Sequence, residues 1–175
     1  MERIARHYPE SAIDQLPYHI TILDNIRSSV TKEVLSSKIG ESLKFGKFRP
    51  FKIVTRNVSI WHNDKYGGNT IALSVNKNLD LMNLRHGLIE YVKPVSDEQS
   101  PFLWKKYRPH ITITLCTVSA SKSEFRNWRK RIVLSFAIDS FALLLHGGKY
   151  HGYTKVRDYF LNESTSSPNE ATRIS

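Results

Sequence analysis

The chain has 175 residues, 40% of them apolar and 24% charged. That composition fits one globular folding unit and excludes a disordered or fibrous protein. Lys and Arg outnumber Asp and Glu by 26 to 16, and the net charge of +10 favours polyanions such as RNA or phosphorylated small molecules. The one cysteine, Cys116, excludes an internal disulfide and favours a reducing compartment. The charged N-terminus and short apolar runs exclude a membrane partner, so we expect a cytoplasmic protein.

In the first half, alternating apolar and polar residues predict a strand at "PYHITIL", residues 17–23. Helical spacing predicts a helix that begins near Ser28 or Ser29 and ends at Gly46. Two runs rich in β-branched and aromatic residues, around the Gly-containing "NDKYGGN", predict a hairpin of two strands. A second helix is predicted from four apolar residues that recur on one face: Leu81, Leu84, Leu88 and Val92.

The second half begins with "YRPHITITLC", which predicts another strand. Ser121 and Glu124 have the spacing of a capping box, which predicts that a helix begins there, after the strand. The segment "VLSFAIDSFALLLH" reads as one strand, "GGKYHG" as a turn and "TKVRDYFL" as the last strand. Residues 162–175 are polar, and we expect a disordered tail.

Both halves follow one plan: a His-x-Thr strand, a helix, a strand, a Lys-Tyr-x-Gly-x-Thr turn and a strand. This repetition predicts an α+β fold of two β-α-β-β lobes with antiparallel sheets, related by a pseudo-twofold axis around a central cleft. We expect one bilobal domain over residues 1–161, with swap-paired lobes and a boundary near residues 93–103.

The repeated motif carries the candidate chemistry. Residues i and i+2 of a strand share a face, so His19 lies beside Thr21, and His110 beside Thr112, with isoleucines on the opposite side. Two imidazoles can act together as base and acid, which phosphodiester cleavage requires. The threonine hydroxyls can donate hydrogen bonds to the phosphate oxygens.

A single His-x-Thr motif can simply occupy the solvent face of a strand. Two such motifs in equivalent places of a repeated plan favour a functional explanation.

The sequence lacks the motifs of other classes of enzyme and binding site. Zinc-binding His and Cys spacings, a Gly-rich phosphate loop and a Gly-x-Ser-x-Gly elbow are all absent from the sequence.

Paired "HITI" tetrads in the two halves of a short chain resemble the two-histidine (2H) phosphoesterase superfamily. That superfamily includes 2'-5' RNA ligase-like proteins, cyclic nucleotide phosphodiesterases and 2',5'-oligoadenylate phosphodiesterases. The resemblance covers about residues 15 to 161. It implies a bilobal α+β fold around a cleft and metal-independent chemistry without a cofactor. It further implies His19 and His110 as the acid–base pair, and Thr21 and Thr112 as phosphate-binding residues.

Four further residues are candidates for substrate binding. Tyr66 and Tyr150 occupy equivalent turns, where a phenol can stack on a base or serve only in packing. Lys105 and Arg108 flank the second motif, where they can attract a polyanion or simply be solvated.

These observations predict a phosphodiesterase that opens 2',3'-cyclic phosphates or cuts 2'-5' linkages of RNA ends or nucleotides and acts as a monomer. His110 is the expected base in the cyclic case and His19 the acid, although the opposite assignment stays open. A non-catalytic RNA- or nucleotide-binding module and an RNA ligase are the alternatives.

Overall fold

The computed structural model describes residues 19–63, 68–104, 106–116, 133–146 and 153–161. Six strands and three α-helices lie in these ranges, and a short 3₁₀ turn at Lys93–Val95 follows the second helix. In chain order they are α1 (Lys32–Gly46), β1 (Phe51–Asn63), β2 (Gly68–Val75), α2 (Leu79–Val92), α3 (Pro101–Trp104), β3 (His110–Cys116), β4 (Ser135–Ile138), β5 (Ser140–His146) and β6 (Tyr153–Phe160). The predicted mixture of helices and antiparallel sheet is confirmed.

The main sheet has the strand order β3-β2-β1-β4, and every pairing in it is antiparallel. The predicted hairpin β1–β2 forms its centre. Strands β3 and β4 come from the second half of the chain and add to the two edges of this hairpin. Both halves therefore contribute to one sheet, whereas β5 and β6 pair separately. The pseudo-twofold relation between whole lobes stays a prediction.

Helix α2 confirms the periodicity in the sequence. All four of its predicted apolar positions are buried, and they join residues of the sheet in one hydrophobic cluster. Asn78 caps the helix by accepting a hydrogen bond from the backbone N–H of Leu81. Its amide also donates to the backbone carbonyl of Lys52. The same residue thus begins the helix and fixes it to β1.

The start of α1 differs from the prediction. Its N-cap is Thr31, whose side chain accepts a hydrogen bond from the backbone N–H of Val34. The hydroxyl of Ser28 instead donates to the carbonyl of Val95 and joins the two loops. The helix ends at Gly46, and Lys47 takes the left-handed conformation at its C-cap.

Two predicted strands also differ from expectation. The segment read as one strand breaks at Asp139, because β4 pairs with β1 while β5 pairs with β6. The Asp139 carbonyl accepts a hydrogen bond from Leu161 at this break. In the first motif, described from His19 onward, pairing is limited to one bridge at Ile20, and the chain bends at residues 22–23.

Several predicted features lie outside the described residues. They are the helix after Ser121, the two Lys-Tyr turns and the tail at residues 162–175. Within the ranges given above, no helix has the length and apolar character to cross a membrane.

The ring of Phe48 packs between two glycines. A Cβ added to Gly87, on α2, would lie 2.3 Å from the Cζ atom of Phe48, and one added to Gly46 would lie 2.2 Å from Cε2. Both distances are far below van der Waals contact. The ring therefore occupies the space that side chains at these two positions would need.

We expect Gly87→Ala to destabilise the fold by about 1 to 3 kcal/mol, because displacing Phe48 outweighs the gain of about 1 kcal/mol in helix propensity. Gly40→Ala in α1 is the matched control. A Cβ at Gly40 meets no heavy atom within 4 Å, so this change should stabilise the protein by about 0.5 to 1 kcal/mol. Urea unfolding measures the change in the free energy of unfolding for each variant. In a Phe48→Ala background Gly87→Ala should become stabilising, and an unchanged effect there would contradict the proposed clash.

Candidate active site

The two motifs meet in space. Ile20 and Ile111 form an antiparallel bridge between the first motif and β3. Ile111 is buried, and Ile20 packs against the same hydrophobic core. Because side chains alternate along an extended chain, the residues on either side of these isoleucines face away from the core.

The bridge determines how the four motif side chains are arranged. In an antiparallel pair, the residue before one partner lies opposite the residue after the other. His19 is therefore opposite Thr112, and Thr21 is opposite His110. The two histidines occupy one diagonal of this group and the threonines the other. Diagonal neighbours in antiparallel strands are about 7 to 8 Å apart, a spacing that leaves room for one phosphate group between two imidazoles.

Strand β3 is irregular at the motif. Ala72 pairs with Thr112, but Ile71 pairs with Thr114, so the register shifts by one residue at Ile113. An extra residue of this kind bends a strand and changes the direction of nearby side chains, and such bulges are frequent beside active sites. Ile113 stays buried, at 1% exposure, while Thr112 is half-buried. The irregularity thus lies beside one of the predicted phosphate-binding residues.

The ring of His110 is oriented by the backbone. Its Nδ1 atom lies 2.8 Å from the carbonyl oxygen of Arg108. A carbonyl oxygen only accepts, so Nδ1 carries the proton, and in the neutral ring the lone pair is on Nε2. This hydrogen bond therefore determines the tautomer and makes Nε2 the basic atom.

The surroundings of His110 favour its neutral form. Burial lowers the pKa of His110 below the ordinary 6.5 and outweighs the hydrogen bond to Arg108, which raises it. The nearby His19 lowers the pKa further, while the carboxylate of Asp24 raises it. Both groups therefore lie within electrostatic range of the His110 ring. At neutral pH His110 is mainly uncharged and can accept a proton.

Comparison with known proteins identifies the family of this chain. A family model described as the 2'-5' RNA ligase superfamily matches residues 1–149, most of the chain. The chain belongs to this superfamily. No match was found among curated protein sequences.

Solved structures share the superfamily fold with the chain at low sequence identity. The crystal structure of TT0787 of Thermus thermophilus is 20% identical with a TM-score of 0.61, over 84% of this chain and 81% of that one. E. coli LigT, crystallised with 3'-AMP, is 18% identical with a TM-score of 0.59, over 93% and 88%. A structure described as a phosphoesterase is 15% identical with a TM-score of 0.56, over 83% and 78%.

The residues predicted for the site fall into two groups. The first includes the four motif residues, which the bridge brings together, and Arg108, which is exposed and orients His110 through its carbonyl. The second group lies outside the described side chains: Tyr66, Lys105 and Tyr150. Their roles stay predictions.

Sequence reasoning missed two neighbours of this candidate site, Asp24 and Tyr107. Asp24 follows the first motif, but no spacing rule marks it as a partner of His110. Tyr107 lies three residues before His110, and its hydroxyl donates to the carbonyl oxygen of Thr21 over 3.2 Å, a contact across 86 positions that no local pattern marks. Across the described ranges, no three His, Cys, Asp or Glu side chains lie together in a way that could hold a metal ion.

We expect His110 to titrate below pH 6.5, because its pKa is lowered mainly by burial. The unfolded chain then binds more protons in the window just below pH 6.5, so the free energy of unfolding should rise with pH through that window. His110→Gln should reduce this rise between about pH 5 and pH 7. NMR titration of the ring and urea unfolding over a pH series measure the two effects.

The control is His86→Gln, which removes an exposed imidazole of α2 outside the site. If the ring of His110 titrates at or above 6.5, burial does not control its protonation.

Proposed function

We propose that this protein is a metal-independent phosphodiesterase. Its substrates are 2',3'-cyclic phosphates or 2'-5' linkages of RNA ends or nucleotides, and His19 and His110 are its acid–base pair. The bridge between Ile20 and Ile111 carries the proposal, because it supports two histidines facing one phosphate from opposite corners. Membership of the superfamily supports the same class of chemistry.

In the proposed reaction His110 is the base. Its neutral form is favoured by burial, and its Nε2 atom can take a proton from a water molecule that attacks phosphorus. The new bond joins the water oxygen to phosphorus, and the bond from phosphorus to one ribose oxygen breaks. His19, exposed on the other diagonal corner of the site, is assigned as the acid and gives a proton to the departing oxygen. Proton exchange with solvent then restores both rings.

In this proposal the two threonines bind the phosphate group. Thr21 lies opposite His110 and Thr112 opposite His19, so one hydroxyl stands beside each imidazole. Each can donate a hydrogen bond to a non-bridging oxygen, where negative charge accumulates in the transition state. We therefore assign phosphate binding to both threonines.

A nucleotide substrate agrees with the charge of the protein. The net charge of +10 attracts anions, and the exposed Arg108 lies directly beside the second motif. The fold is shared with LigT, which was crystallised with 3'-AMP. Tyr66, Tyr150 and Lys105 remain proposed substrate contacts, and the monomeric state and cytoplasmic location remain predictions from the sequence.

Ligation is the second candidate function, and the description of the matching family favours it. The same groups can serve ligation, in which a 5'-hydroxyl replaces water: the base takes its proton, its oxygen bonds to phosphorus, and the acid protonates the ribose oxygen that leaves the cyclic phosphate. Product analysis with 2',3'-cyclic and 5'-hydroxyl RNA ends distinguishes the two directions.

We expect the purified protein to cleave members of a panel of 2',3'-cyclic nucleotides and 2'-5' oligoadenylates in the presence of EDTA. His19→Ala and His110→Ala should each reduce kcat by about 10² to 10⁴, because each removes one proton-transfer group. Thr21→Ala and Thr112→Ala should each reduce it by about 10².

His86→Ala is the matched control and should leave kcat unchanged, since His86 is an exposed residue of α2 paired with Glu90. Undiminished cleavage by His19→Ala contradicts the acid–base assignment. Salt-sensitive nucleotide binding without any turnover would instead support the binding module.

A further inference from the structure

A tyrosine beside the second motif holds the backbone of the first. The hydroxyl of Tyr107 donates to the carbonyl oxygen of Thr21, 86 positions away in the sequence, over 3.2 Å. Tyr107 lies three residues before His110, and Thr21 two residues after His19. One hydrogen bond therefore connects the segments that carry the two catalytic candidates.

An arginine from α2 supports this tyrosine. The guanidinium carbon of Arg85 lies 4.6 Å from the centroid of the Tyr107 ring, within the range of a cation–π interaction. The Nη2 atom of Arg85 donates to the carbonyl oxygen of Phe102 over 2.8 Å. Arg85 thus binds both the ring of Tyr107 and the backbone of α3, which precedes the second motif.

The environment keeps the Tyr107 hydroxyl a hydrogen-bond donor. Burial raises the pKa of Tyr107 to about 12, although the positive charge of Arg85 lowers it. The phenol is therefore protonated throughout the physiological pH range. Burial also lowers the pKa of Arg85, but it remains charged at neutral pH.

The first motif needs a second point of attachment. In the described part of the chain its strand pairing is the bridge between Ile20 and Ile111, rather than a ladder of several pairs. The core packing of Ile20 and Ile22 sets the face that this segment presents, while a single bridge constrains its backbone direction less than a full ladder would. The hydrogen bond at Thr21, one residue beyond the bridge, constrains that direction further, so these contacts together fix the direction in which His19 extends.

We propose that Tyr107, supported by Arg85, is a positioning residue that holds His19 at its working distance and angle from His110. It touches neither substrate nor reacting atoms. The catalytic consequence depends on the function proposed above, whereas the geometric consequence does not.

Tyr107→Phe tests the proposal, because it removes one hydroxyl and keeps the ring beneath Arg85. Displacement of a catalytic group by about 1 Å can cost 10²-fold in rate, so we expect kcat to fall by about 10 to 100-fold. KM should change less than about threefold, because the variant removes no hydroxyl assigned to phosphate binding: the lost bond is to the Thr21 carbonyl oxygen, and Thr112 is untouched.

The matched control is Tyr159→Phe. Tyr159 is buried and its hydroxyl hydrogen-bonds Ser36, in a contact between α1 and β6 that includes no motif residue. This variant should lose stability and keep kcat. Equal kcat for Tyr107→Phe and the wild type would overturn the proposal, whatever the loss of stability.

A second measurement is independent of activity. His19→Gln should raise the pKa of His110, because His19 lowers it. In a Tyr107→Phe background the same change should have a smaller effect, since His19 is no longer held in place. NMR titration of His110 in the four proteins measures this coupling, and an undiminished effect would overturn the proposal even if no substrate is cleaved.

Arg85→Lys provides a variant that leaves Tyr107 intact. It keeps the charge but loses the planar group that lies over the ring and bonds Phe102. We expect a smaller decrease in kcat than for Tyr107→Phe, with KM again nearly unchanged. A change in KM alone would overturn the proposed role of Arg85.

Discussion

One antiparallel bridge, between Ile20 and Ile111, is the constraint on which the site depends. Both motifs alternate polar and apolar residues, so a slip of one residue would move the histidines toward the core and the isoleucines toward solvent. Ile111 is 3% exposed and Ile20 packs against the same core, and burying a side chain of this size contributes about 1.5 to 3 kcal/mol. The hydrophobic core therefore enforces the register that places two imidazoles and two hydroxyls on one face.

Identical tetrads acquire different proton chemistry from their positions in the fold. His110 is half-buried at the start of β3, with its Nδ1 proton directed to a backbone carbonyl. His19 is exposed, and it belongs to a segment whose contacts include the bridge at Ile20, core packing of its isoleucines and the hydroxyl of Tyr107. Burial lowers the pKa of His110, an effect of the fold that the repeated sequence "HITI" cannot contain.

Local periodicity predicted much of this fold. The buried face of α2 and the hairpin of β1 and β2 follow from spacing, and the two motifs follow from their repetition. The break at Asp139 could not be predicted, because both sides of it are strand-like and only their different partners divide them. Likewise, the link from Tyr107 to Thr21 spans 86 positions and exists only after the fold has formed. The features that the sequence did not predict are mainly contacts between distant segments.

The lowered pKa of His110 also bears on a conflict that a phosphate substrate would create in the proposed reaction. An anion placed beside an imidazole stabilises its charged form and so raises its pKa. A base whose pKa starts at its ordinary value would then be protonated when substrate is bound. In the proposed reaction, burial and the neighbouring His19 lower the pKa of His110 beforehand, which opposes the effect of the phosphate and favours the neutral ring that a base requires. The hydrophobic packing that sets the register of the motifs thus also prepares one of them to accept a proton.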